Sequence, residues 1–217
     1  GARSPPVPLM TLPGSGRSFW RLRMIASGSA PSITIRPARA DDADRLAELV
    51  NCAEEGMLLY LSGKLASAGK SGEHTGQDEG SSLLGNASII EVDGKAVGCL
   101  IGYEIPDRPE PMAQYTPIVF APVQELANLA PSTWCVSVLA VLPDYRGNGL
   151  GSQLLRVAEE NGRRCGKRGM SAIVSDTNIG ARCVFERCGY RETARREMVK
   201  EGWTNPGREW ILLTKPL

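Results

Sequence analysis

Hydrophobic positions along the chain change period several times, and each change predicts an element. From Ile33, "ITIRPA" alternates apolar and polar residues and predicts a short strand ending near Pro37. In "ADDADRLAELVNCAEEGMLLYL", Leu46, Leu49, Val50, Ala53 and Met57 recur at helical spacing, with Asp41 or Asp42 as a candidate cap. "NASIIEVDGKAVGCLIGYEI" sets alternating apolar runs around Asp93-Gly94, the signature of a β-hairpin. "VQELANLA" predicts a short helix. "WCVSVLAV", Trp134 to Val141, is apolar almost throughout, so it belongs in the middle of a sheet covered on both faces. Helical spacing returns in "LLRVAEENGRRCG", "MSAIVS" reads as a buried strand, and "NIGARCVFERCG" as a helix closed by Gly189. "YRETARREMV" and "REWILLTK" predict two final strands.

This order of elements predicts an α/β domain with a mixed sheet, spanning residues 33–217. Two stretches interrupt it. "SGKLASAGKSGEHTGQDEGSS" is a Gly/Ser-rich connection that holds His74, and "PDRPEPMAQYTP" must be loop. Residues 1–32, rich in Pro, Gly, Ser and Arg and without periodicity, are expected to be disordered or loosely attached.

Composition narrows the function classes. The formal net charge of +1 gives no bulk field to recruit nucleic acid. No apolar run approaches the ~18 residues that span a bilayer, so no membrane partner is expected. The six cysteines form no C-x-x-C pair and His74 is the single histidine, which argues against a zinc or other metal site. Cysteines inside apolar patterns, with no disulfide framework, predict a reducing, cytoplasmic setting.

One stretch asks for a ligand. "YRGNGLGSQLL", Tyr145 to Leu155, places three glycines within five positions at the mouth of a helix. Each glycine is costly to order, so close approach of the backbone to something is implied. No lysine follows, as a P-loop requires, and Gly147, Gly149 and Gly151 read G-x-G-x-G, which is not the dinucleotide fingerprint. What remains is a strand, a tight turn, Arg146, the glycines and a helix N-terminus, an arrangement that favours phosphate.

At these residues the chain resembles a family. "VSVLAVLPDYRGNGLGSQLL" is similar to the acyl-CoA loop of the GNAT superfamily of N-acetyltransferases, whose pattern [QR]-x-x-G-x-[GA] is met by Arg146, Gly149 and Gly151. Downstream, "NIGARCVFERCGYRE" resembles the family's N-x-x-A-x-x-L-Y-E-x-x-G-[FY] segment, with Asn178, Ala181, Glu186, Gly189 and Tyr190 in register. Residues 1–32 carry no such resemblance.

The resemblance implies a mostly antiparallel central sheet, helices on both faces and a splayed strand pair that holds acetyl-CoA as acyl donor, without a metal. The pantetheine arm is expected along the strand containing Leu139 and Val141, and the pyrophosphate on Arg146, Gly147, Asn148, Gly149, Leu150, Gly151 and Ser152. Asn178, Ala181 and Phe185 complete the donor site. The N–H near Val141 would meet the thioester carbonyl and stabilise the oxyanion. The acceptor is expected to be a primary amine of a small molecule or protein, in a pocket drawing on Glu54, Glu55, Tyr60, Trp134 and Trp203. A homodimer is compatible with this reading.

The chain also departs from the family. Phe185 stands where a tyrosine is often credited with protonating the leaving thiolate. The strand before the glycine loop carries Cys135 and Ser137 where a glutamate is common, leaving Glu104 on the hairpin as the nearest carboxylate and candidate base. A non-catalytic acyl-CoA-binding module is the alternative.

Overall fold

The computed structural model describes residues 30–53, 86–111 and 117–217. The expectations for residues 1–29, and those for Glu54, Glu55, Tyr60 and His74, lie outside the described residues. Seven strands and four α-helices follow one another among them: β1 Ile33–Pro37, α1 Ala43–Ala53, β2 Ala87–Val92, β3 Lys95–Glu104, α2 Ala121–Asn128, β4 Thr133–Val141, α3 Leu150–Arg164, β5 Gly169–Ser175, α4 Ile179–Arg187, β6 Arg191–Glu197 and β7 Glu209–Pro216. They form one sheet in the order β1-β2-β3-β4-β5-β7-β6. Every neighbouring pair is antiparallel except β4–β5, which is parallel. The expected mixed, mostly antiparallel sheet with helices on both faces is the architecture found.

Local chemistry explains the turns. Asp93 and Gly94 both have positive φ, 50° and 76°, as a two-residue hairpin turn demands. Gly189, at φ 92°, ends α4. The start of α1 is tied to the sheet: Arg36 donates to both oxygens of Asp42, at 2.7 and 2.8 Å, and also reaches Glu91. Asp42 accepts the Arg39 amide at 2.7 Å as well. The Arg36 guanidinium foremost, against the opposing effect of burial, holds the Asp42 carboxyl down to about 2.

Two cores flank the sheet. On one face Leu150, Leu154, Leu155 and Ala158 of α3 pack on Trp134, Val136, Met170 and Ala172. On the other, Leu46, Leu49 and Val50 of α1 pack on Ile89, Ile101, Val138 and Ala140. Positions 134 and 136 therefore share a face that 138 and 140 do not. The cause is a break in register against β3: Gly102 pairs with Val136 and Ile101 with Val138, leaving Ser137 as an extra residue. Such a bulge inverts the alternation of a strand. Beyond it, Leu139 and Val141 take over the α3 side.

Beside the bulge the sheet opens. β4 and β5 pair from Thr133–Gly169 to Val136–Ala172 and no further, while β5 continues along β7 to Ser175. A V-shaped gap separates the ends of the two strands. No described helix is long and apolar enough to cross a membrane.

Candidate active site

The gap between β4 and β5 leads into a cleft with two ends that share Ala53, Leu139, Asn178 and Ala181 as common wall.

The first end, about 610 Å³, lies over the glycine loop. Tyr145, 91% shielded from solvent, anchors the loop by packing into the α3 core. The side chain of Asn148 donates to the carbonyls of Tyr145 and Arg146, at 3.1 and 3.0 Å. It therefore shapes the loop, and it is not among the residues lining the cleft. Gly147 and Gly149 have φ of 76° and 78°, and a Cβ built on either meets nothing within 4 Å. Their Cβ directions face open space. The first helical bond near this terminus runs from the Gln153 amide to the Gly149 carbonyl, and no side chain caps α3. The amides of Leu150, Gly151 and Ser152 are thus outside the helix ladder, at its electropositive end. Arg146 and Arg187 also line this end, and none of its described lining residues is acidic.

The edge of β4 supplies main chain to the same cleft. The Leu142 amide donates to the Val97 carbonyl at 2.8 Å. By alternation, Val138 and Ala140 bond to β3, while the main-chain groups of Leu139 and Val141 turn toward the gap. The Val141 carbonyl accepts from Arg146 Nε at 2.8 Å. Across the gap, Asn178 caps α4: its side chain accepts the Ala181 amide at 3.1 Å.

The second end, about 400 Å³, is lined by Tyr103, Phe120, Gln124, Cys135, Ser137, Phe185 and Trp210, among others. Phe185 is buried with its ring edge-on to Tyr190, centroids 5.0 Å apart. Burial pushes the Cys135 thiol up, so it is a neutral wall group and a poor nucleophile.

Several sequence candidates fall elsewhere. Trp134 faces α3, away from this end: its ring fills the space over Gly102, where an added Cβ would lie 1.9 Å from it. Glu104 points out of the cleft to Lys167, 2.9 Å away, which holds its carboxyl below the ordinary range. A carboxylate so stabilised is a weak base. Trp203 is buried behind the wall, stacked on Trp210 at 6.0 Å. Sequence reasoning missed Tyr103, Phe120, Gln124, Asn205 and Trp210. The one signal available was the aromatic content of the strand "REWILLTK" and its neighbours. Among the described residues no group of His, Cys, Asp and Glu could hold a metal ion.

Solved structures share this fold. A GNAT family acetyltransferase from Elizabethkingia anophelis, with acetyl-CoA bound, superposes with a TM-score of 0.56 at 16% identity, over 85% of this chain and 98% of that one. The ribosomal-protein-S18-alanine N-acetyltransferase from Escherichia coli gives 0.54 at 17% identity, over 85% and 94% of the two chains. Mosquito arylalkylamine N-acetyltransferase like 5b gives 0.57 at 16% identity, over 86% and 100%. No curated protein matches the sequence. A sequence profile of the acetyltransferase (GNAT) family matches residues 61–190, across both the glycine loop and the α4 segment. Loop, splayed strands, fold and profile agree, and the chain belongs to the acetyltransferase (GNAT) family.

Proposed function

We propose that the protein is an N-acetyltransferase that moves an acetyl group from acetyl-CoA to a primary amine of a small molecule or protein. The observation that carries this reading is the glycine loop, with its outward amides, two left-handed glycines and open space where side chains would project. These residues fit the donor. The amides of Leu150, Gly151 and Ser152, with Arg146 and Arg187, receive the pyrophosphate. The main chain of Leu139 aligns the pantetheine arm as an added strand. When bound, acetyl-CoA supplies an activated thioester, so orientation provides much of the rate. An N–H from the β4 edge, with Val141 as the candidate, donates to the thioester carbonyl as charge develops there.

The acceptor must be neutral to attack. An alkylamine with a pKa of ~10.4 is mostly protonated at pH 7, a deficit of roughly 4–5 kcal/mol. Glu104, paired with Lys167 outside the cleft, is withdrawn as the base. Phe185 offers no proton to the departing thiolate, which supports a second reading as an acyl-CoA-binding module. Two measurements decide between them. Calorimetric titration with CoA should show binding, and acetyl-CoA with an amine panel should release free thiol. Binding without thiol release from any amine would leave the module as the function.

A further inference from the structure

The second end of the cleft differs in chemistry from the first. Among the described residues lining it there is no Asp, Glu, Lys, Arg or His. Its titratable groups are Tyr103 and Cys135, which face each other across β3 and β4. Both stay protonated near pH 7: burial pushes the Cys135 thiol up, and the Tyr103 hydroxyl beside it is shifted up as well.

Tyr103, Phe120 and Trp210 bring aromatic carbon to the wall. The indole Nε1 of Trp210 is buried without a hydrogen-bond partner, so the part of the ring that meets the cleft is carbon. Trp203 stacks on its other side, with the ring planes 10° apart, and fixes its orientation. Gln124, Ser175 and Asn205 add neutral polar groups. The size is also informative: a cavity of about 150 Å³ suffices for benzene, and this end holds about 400 Å³.

We propose that this end takes the acceptor, and that the acceptor is a monoamine bearing an aromatic ring, not a polyamine or a peptide. The inference rests on the acetyl-transfer reading above. A wall whose described residues carry no charge offers no partner to a second ammonium, whose burial without one is costly. It also favours the neutral form of the one amine that enters, and that form is the nucleophile. The ring lies against Trp210, Tyr103 and Phe120, while the nitrogen reaches toward Ser137 and the β4 edge where the thioester is held.

The test uses the full chain, acetyl-CoA and three acceptors: 2-phenylethylamine, spermidine and a short peptide with a free N-terminus. Thiol release should give 2-phenylethylamine a kcat/KM at least tenfold above the other two. Trp210→Ala should raise its KM at least tenfold while leaving the affinity for CoA within about twofold. Gln124→Glu, a near-isosteric change at a half-buried position of α2 that leaves the packed Leu126 and Ala127 in place should the tryptophan variant fail to fold, should shift preference toward spermidine by tenfold or more. A wild-type preference for spermidine or the peptide overturns the inference and leaves acetyl transfer standing. If no amine releases thiol, 2-phenylethylamine is titrated calorimetrically into the CoA-saturated protein. Binding that Trp210→Ala or Phe120→Ala weakens at least tenfold supports the pocket while the transfer reading falls. Absence of binding overturns the pocket as well.

Discussion

The two ends of the cleft are built by different means. Over the glycine loop the groups presented are main-chain amides and two arginines, and Gly147 and Gly149 put no side chain into the space. Around Trp210 the described lining is made of side chains without formal charge, with Tyr103, Phe120 and Trp210 among them, drawn from β3, α2, β4, β5 and β7 as well as neighbouring segments. A phosphate site made of backbone depends on local conformation within a few residues. A ring-binding site made of side chains depends on how distant elements pack. The first therefore depends most on its glycines and on the few residues that shape the loop, and the second can be retuned residue by residue.

Substitution in the loop should separate the ends most sharply. Gly149→Val adds a β-branched side chain at positive φ and pushes it into the open cleft. CoA affinity should fall at least 100-fold, about 2.7 kcal/mol, in a calorimetric titration. Gly166 supplies the control, because its φ is also positive, 66°, with nothing within 4 Å of an added Cβ, at the far end of α3. Gly166→Val should strain the chain equally yet keep CoA affinity. Equal loss in both variants would show that strain, not occupancy of a phosphate site, explains the effect.

A second test loosens α1 without touching the loop. The Asp42 carboxyl is held below its unfolded value, so its contribution is full above about pH 4 and disappears as pH falls through about 2. Asp42→Asn should lower stability at pH 7 by about 2 kcal/mol at most, and the difference from wild type should vanish in acid denaturation curves. The dissociation constant for CoA should not move. If it does, the start of α1 and the loop are coupled.

Phe185 lines the second end, on the same helix, α4, that borders the first. Phe185→Tyr adds one hydroxyl, and if thiolate departure limits turnover, kcat should rise on the order of tenfold, within the range of general acid catalysis. An unchanged kcat would mean that departure never limited it. Asn178→Ala should have the smallest effect, about 1 kcal/mol of stability from the lost cap, read by thermal melting, with a few-fold weaker CoA binding. Full stability with unchanged binding would remove Asn178 from the site.

The same contrast explains what could be read from the chain. Asp93-Gly94, Gly149, Asn178 and Gly189 leave a trace in sequence because local backbone geometry demands those residue types. Apolar periodicity placed the strands and helices for a similar reason. The bulge at Ser137 left no such trace, since serine needs no special conformation there. Counting by twos along "WCVSVLAV" puts Trp134 with Val138, whereas the extra residue sends them to opposite faces. The pairing of Glu104 with Lys167 could not be read either, because Lys167 is distant in sequence and meets it only after folding. Trp210 reads as one more strand residue until α2 and the loop holding Trp203 are packed around it.

The parting of β4 from β5 has a mechanical consequence. Four residue pairs, Thr133–Gly169 to Val136–Ala172, are all the ladder that joins the leaf β1-β2-β3-β4 to the leaf β5-β7-β6. A ligand lying in the gap would touch both leaves and act as a splint across the seam. Slowed hydrogen exchange on ligation should therefore appear in β5 and β7 as well as beside the glycines, because the stiffness of each leaf is lent to the other.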